Sequence, residues 1–322
     1  MKTARLASIL FVVAGFLCWH PTGHFLTALI AQKEIEKQDP TLVPYLESIL
    51  KVLSVFTKEK AHGFIEQAEF PDDIKYLEWK SFNSWHFNDK YIVAPDAPKK
   101  DLPKNPQNVV WAINQCEATL RNQKTSEINV FFGKSFMLRY LVHLVGDIHQ
   151  PLHNTSLVSK QFPDGDAGGN NFAIKYPGVR DLHTFWDMAL KQIKEVRSPL
   201  SDSDMELLNS NADAIIKEFT RESLKEQLSK PWASMWADDA EKLAEDYAYA
   251  GIEVNGTPSE DYIKKGFQIV KQQLALGGYR LADILRSIFK PEDRPPVNFK
   301  VVAIAAEVAE INAAHKIRAD ID

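Results

Sequence analysis

The residues best suited to chemistry lie in "LVHLVGDIHQPLH" and "DLHTFWD". His143 and Asp147 are spaced i, i+4, so a helix points both side chains to one side. Pro151 stops that helix and lets the chain turn back to bring His153 nearby. His183 and Asp187 repeat the same spacing. Either pair alone is equally well explained by a polar residue satisfied by its neighbours or by a surface ion pair. Two pairs plus an extra histidine, set among Leu141, Val142, Leu144 and Val145, make a metal-ligand vocabulary in which imidazole and carboxylate suit zinc. Charged groups in an apolar stretch need partners, and a cation supplies them.

Other stretches carry less on their own. "EFPDDIKY" offers Asp72, Asp73 and Lys75, which alone would be a solvated helix start. "SWHFND" sets His86 between aromatic residues, as a packed histidine would be, and "GDAGGNNF" has the composition of a plain turn. "CWHPTGHF" places Trp19 and His24 five residues apart, directly after an apolar run.

The elements that must position these groups are helices. "HFLTALIAQKEIEK", "SFMLRYLVHLVGDIHQ", "MWADDAEKLAEDYAY", the long "DYIKKGFQIVKQQLALGGYRLADILRSIF" and "VVAIAAEVAEINAAHKI" all have helical periodicity. Strand signals are few: "NNFAIKYPG" reads as a short hairpin arm, and "YIVAPDAPKKDLPKNPQN" reads as a Pro- and Lys-rich loop. With no repeat or low-complexity linker, the expectation is one all-α domain over residues 19–322.

Composition bounds the function. The chain is 45% hydrophobic and 25% charged, with a formal net charge of −5. That balance argues against a generic electrostatic nucleic-acid binder, but not against an enzyme that grips phosphate through bound cations. Residues 1–18 read as a secretory signal, with Lys2 and Arg5 ahead of an apolar stretch from Leu6 to Leu17. That stretch is short of the roughly 18 residues that suggest a membrane span. Cleavage before Trp19 is expected, although Phe16 is bulky where a small residue is favoured. The protein is therefore expected outside the cell, or in the periplasm of a bacterium, without stable membrane association. Removal of the signal takes Cys18 and leaves Cys116 without a disulfide partner. Asn154 and Asn255 lie in glycosylation sequons; a glycan on Asn154 would crowd the site, so that sequon is expected to stay unused.

Taken in order, Trp19-x4-His24, Asp72 three residues before Lys75, His86-Phe87-x-Asp89, "HLVGDIHQPLH", Gly168-Gly169-Asn170 and Leu182-His183-x2-Trp186-Asp187 resemble the S1/P1 nuclease family of secreted zinc-dependent nucleases and 3′-nucleotidases. The resemblance implies the mainly helical phospholipase C/P1 nuclease fold, with a small β-hairpin or loop near the site. It implies three zinc ions per chain. Asp72, His86, His143 and Asp147 match the ligands of one. The amine and carbonyl of a mature N-terminal Trp19, with His24 and the shared Asp147, match those of another, and His153, His183 and Asp187 those of the third. Asp72, Lys75 and Asp147 match the catalytic positions, Lys75 standing where many relatives carry arginine. Phe87 would stack a nucleobase, Asp89 would bond its edge, and Gly169 and Asn170 would close the pocket.

The substrates implied are single-stranded nucleic acid and 3′-nucleotides, and the protein a monomer. A zinc phospholipase C of the same fold is an alternative, as is an inactive, metal-stabilised relative. Relatives from plants and fungi rely on disulfides that this chain has no cysteine pair to form. His149 is expected in a supporting or surface role and His20 in solvent. The lysines from Pro95 to Lys104 read as solvated charge that could also guide a polyanion.

Overall fold

The computed structural model describes residues 19–57, 63–76, 80–122 and 128–295. The signal segment and the helix expected in "VVAIAAEVAEINAAHKI" lie outside them. The helices are α1 (Pro21–Glu36), α2 (Leu42–Thr57), α3 (Phe70–Tyr76), α4 (Val109–Arg121), α5 (Ile128–Asp147), α6 (Leu182–Asp187), α7 (Asp202–Glu218), α8 (Lys225–Leu228), α9 (Ala233–Leu243) and α10 (Glu260–Ile288). Short 3₁₀ turns, including Pro151–Asn154, join several of them. The strands are β1 (Lys90–Val93), β2 (Thr155–Val158), β3 (Ala173–Tyr176) and β4 (Val179–Asp181). The mainly helical architecture agrees with the expectation from sequence.

Local chemistry sets the ends of these helices. Pro21 opens α1, where its missing N–H costs nothing. Asn108, Asp181, Ser201 and Ser259 cap α4, α6, α7 and α10 by accepting from backbone N–H groups of the first turn. After α5 the Gln150 side chain accepts from Leu152 N–H, and Pro151 begins the 3₁₀ turn that carries His153. One continuous set of buried apolar side chains runs from Trp19 to Phe289 and includes the Cys116 thiol. α1 is buried along nearly its whole length, against α10 on one side and α5 on another. No described helix is long and apolar enough to cross a membrane.

β3 and β4 form the expected antiparallel hairpin. A second two-stranded sheet was not expected: β1 pairs in parallel with β2, Lys90 opposite Thr155 and Val93 opposite Val158. "YIVA" is therefore a strand rather than the start of a loop. Its partner lies far along the chain, beyond the reach of local pattern. The stretch "AEDYA" also departs from a plain α-helix, forming a π-helical turn at the end of α9.

α1 and α10 come close because α10 carries Gly277 and Gly278 at the crossing. A Cβ on Gly278 would fall within 2.5 Å of Ile30 carbons and 3.1 Å of the Thr27 carbonyl oxygen. Overpacking of this kind costs about 1–3 kcal/mol. Gly278→Ala is expected to lose that much in urea unfolding and to lower the thermal midpoint by several degrees; a wild-type midpoint would show that the two helices part without cost.

Candidate metal centre

Four helices and two 3₁₀ turns deliver the donor side chains. His24 comes from the first turn of α1, Asp72 and Lys75 from α3, His143 and Asp147 from the end of α5, and His183 and Asp187 from α6. His86 ends a 3₁₀ turn and His153 lies in the turn after α5. The result is three donor groups: His24, His143 and Asp147; Asp72, His86 and His143; and His153, His183 and Asp187.

Asp147 joins them. Its Oδ2 lies 2.9 Å from His86 Nδ1 and 3.0 Å from His143 Nε2, while its Oδ1 lies 3.4 Å from His24 Nε2 and 3.5 Å from His153 Nδ1. Asp72 also reaches both sides, with Oδ1 3.6 Å from His143 Nε2 and Oδ2 3.9 Å from His24 Nε2. In the third group, Asp187 places its oxygens 3.4 Å from His153 Nε2 and 3.3 Å from His183 Nε2. Donors about 2.0–2.1 Å from a tetrahedral ion lie roughly 3.3 Å apart, so these separations suit shared cations, except at His153 Nδ1, which faces the His86 carbonyl. His143 falls within reach of two groups, but one imidazole lone pair holds one ion. A carboxylate has an oxygen for each of two, so Asp147 is the natural bridge.

Hydrogen bonding gives an independent test of fit. His24 Nε2, Asp147 Oδ1, His153 Nε2 and Asp187 Oδ2 are buried and make no hydrogen bond. Buried polar atoms are rarely left so unless an ion or ligand takes them. In three of the histidines the other nitrogen is spoken for: Nδ1 of His143 bonds Ala68 O at 2.6 Å, Nδ1 of His153 bonds His86 O at 2.9 Å, and Nδ1 of His183 bonds Gly168 O at 2.7 Å. A carbonyl can only accept, so each Nδ1 carries the proton and each Nε2 presents a lone pair to its group. The residues present therefore fit divalent cations of the zinc class.

The electrostatics agree. Burial works to raise the carboxyl of Asp72, but Lys75, 2.7 Å away, and the imidazoles of His143 and His86 hold it well below the usual range. Asp147 is likewise held low against burial by His143 and His153. Burial pushes His24 well down and His86 to about 4. For His143 and His153 burial also works downward, but it is outweighed jointly, by Asp147 with Asp72 at His143 and by Asp147 with Asp187 at His153, which lift His153 to about 9. The cluster thus keeps Asp72 and Asp147 ionised and draws protons onto His143 and His153, the protons that a cation would displace.

Beside the metal groups lies a pocket of about 250 Å³ lined by Lys75, Phe87, Asp89, Tyr91, His153 and Asn170, among others. Burial and the nearby Asp166 raise the Asp89 carboxyl. Gly168 has φ +64°, and a Cβ there would meet Leu152 O at 2.5 Å, so this turn holds its carbonyl against His183 only as glycine. Gly169 adjoins it at φ +88°. Trp19 is 1% exposed; its indole donates to Gly146 O, and its ring covers Gly23. Gly146 in turn lets His24 approach, since a Cβ there would lie 2.9 Å from His24 Nδ1.

Two expectations are corrected. His20 is buried rather than solvated, close to Glu195 and Arg197, and its N–H donates to Asp187 O. His149 is 2% exposed and turned away from the donor groups, its ring between Val145 O and Arg280. The side-chain amide of Asn154 is buried and donates to Ile148 O and Gln150 O, so the fold encloses that sequon. In the Lys-rich loop, Lys100 pairs with Asp164.

Sequence reasoning missed three residues. Gln150 donates to Asp187 Oδ1 at 2.7 Å. Tyr249, at the end of the π-helical turn, donates to Asp166, whose carboxylate also holds Leu157 N–H at the base of the Gly-rich loop. Gln150 lay within the quoted motif, but the other two meet only through the fold. Losing an outer partner of a metal ligand typically costs 10–100-fold in affinity. Gln150→Ala is expected to weaken zinc binding by about that factor in chelator competition; unchanged affinity would show that Asp187 needs no orienting donor.

Comparison with known proteins agrees with this geometry. The S1/P1 Nuclease family model matches residues 19–290. Nuclease P1 of Penicillium citrinum is 29% identical over 295 residues, covering 85% of this chain and 99% of its own. Endonuclease 3 of Arabidopsis thaliana is 28% identical, over 86% and 91% of the two chains. Nuclease S1 of Aspergillus oryzae is 24% identical, over 82% and 89%. The protein whose buried His and Asp side chains converge in this way belongs to the S1/P1 nuclease family.

Proposed function

We propose that this nuclease is a zinc-dependent phosphodiesterase that cleaves single-stranded DNA and RNA to 5′-phosphorylated products and removes 3′-phosphate from nucleotides. Both reactions break the bond between phosphorus and the 3′-oxygen, so one site serves both. The observation that carries the proposal is Asp147, whose two oxygens face different imidazoles in a cluster with two further carboxylates. The donor set is complete, which favours an active enzyme over an inactive relative.

Zinc, when bound, supplies Lewis acidity toward phosphate oxygens and lowers the pKa of water. The chain supplies the rest. Asp72, ionised and reaching both sides of the cluster, accepts a hydrogen bond from the attacking water and turns its lone pair toward phosphorus. Lys75 places a point charge beside the transferring phosphoryl group, without the fork of an arginine. Phe87 offers a flat face to the base, and Asp89 accepts from its edge. A π-face takes any base, which suits low sequence selectivity on single strands. The base-sized pocket supports a nucleotide over a lipid headgroup.

The reading extends to processing: export with removal of residues 1–18 frees the Trp19 amine as a ligand. Its support is the grip on this segment, through the Trp19 indole on Gly146 and the His20 N–H on Asp187.

Zinc analysis of the mature protein is expected to find one ion for each of three donor groups. Protein with residues ahead of Trp19 retained should hold one fewer; equal content would remove the amine from the ligand set. Asp147→Asn is expected to abolish cleavage of single-stranded DNA, and near-normal rates would refute the proposed mechanism. Across single-stranded DNA, RNA, 3′-AMP and phosphatidylcholine, the first three should be hydrolysed and chelator should stop each; preference for the lipid would reverse the substrate assignment.

A further inference from the structure

A second cleft, of about 550 Å³, lies between the end of α4, the α8–α9 connection and α10. Arg280 lines it, and its situation is unusual for a cation. The side chain is 4% exposed, and its hydrogen-bond partners are neutral: His149 Nε2 at 2.6 Å and Gln227 O at 2.8 Å. His149 gives its Nδ1 proton to Val145 O, so its Nε2 accepts and the ring is uncharged. The guanidinium stacks 4.9 Å from the Trp236 ring centroid, and its Nε makes no hydrogen bond. Burial lowers its pKa to about 10, with Asp239 the opposing charge.

At the same cleft Trp232 is 67% exposed, an aromatic face left in water. Arg121 and Lys230 add positive charge, each held by a carboxylate, Glu117 and Asp239 respectively. Asp283 also lines the cleft, and is taken by Arg221 and Arg286. The opposite face of α9 bonds Lys90, next to Asp89 of the substrate pocket, through Asp238 and Glu241. α9 thus borders the cleft and also pairs with the strand that carries Tyr91 of the substrate pocket.

A buried cation with neutral partners favours an anion, and an exposed indole favours a flat ring. A cleft of this volume accommodates a nucleotide. We propose that it holds a nucleotide unit of the same single strand, remote from the bond being cut, with a base on Trp232 and phosphate drawn to Arg280. This rests on the nuclease reading given above. The strand is then anchored at two places, and long strands bind more tightly than short ones.

The test uses mature, zinc-loaded protein and phosphorothioate single strands that resist cleavage. Trp232→Ala, at an exposed position, is expected to weaken binding of a long strand by roughly five- to 150-fold, the range that base–aromatic stacking supplies. Binding of a dinucleotide should not change, and Trp232→Phe should restore most of the loss. Arg280→Met, checked for folding and zinc content, should weaken the long strand further. The proposal is overturned if Trp232→Ala binds the long strand as wild type does, or loses affinity equally for the dinucleotide. It is also overturned if wild type binds the two strands alike. Should wild type cleave no strand while binding through Trp232 persists, the nuclease reading fails and the cleft remains.

Discussion

Three carboxylates and several imidazoles are buried within a bundle of apolar helices, and that concentration of charge is the constraint on which the rest depends. Asp147 and Asp187 are almost fully excluded from water, and Asp72 nearly so. Isolated anions in such a place would cost several kcal/mol each, or would take up protons instead. Cations shared between Asp147 and its neighbours would resolve the conflict, and the buried donor atoms left without hydrogen bonds suit them. Carbonyls of Ala68, His86 and Gly168, from three separate parts of the chain, take the Nδ1 protons that would otherwise face inward.

The same arrangement bears on stability. With Cys116 buried and without a disulfide among the described residues, cohesion comes from the apolar core and from whatever the donor groups bind. Cations in the three donor groups would tie α1 and α3 to α5, and α6 to the turn after α5, so that binding free energy becomes folding free energy. Glycine makes the approach possible. Gly146 admits His24, Gly23 admits the Trp19 ring, and Gly278 lets α10 close on α1 from the other side. The start of α1 is therefore as much part of the site as the motif residues of α5.

Much of the site was legible because its ligands come in local pairs. His143 with Asp147 and His183 with Asp187 need only helical spacing to share a side. Pro151 marks where α5 must stop, and Gly168-Gly169-Asn170 marks a turn. What local spacing could not show is how the pairs meet. The parallel pairing of β1 with β2 draws Asp89 and Phe87 alongside His153, and a parallel partner cannot be found from neighbouring residues. Burial of His20 and His149 was equally invisible, because each is enclosed by residues far along the chain, Arg197 and Arg280.

Residue types and their local spacing set the vocabulary of this protein: which side chains can bind a cation, which helices carry them, and which family they resemble. Tertiary structure alone decided which oxygen of Asp147 faces which imidazole and that Gln150 holds Asp187. It also decided that Tyr249 braces the Gly-rich loop through Asp166, and that Arg280 ends beside an open cleft with neutral partners. The physical reason is the range of the interactions. Helical spacing and turn chemistry act over a few residues and can be read locally, whereas bridging, orientation and burial arise only when distant segments pack together.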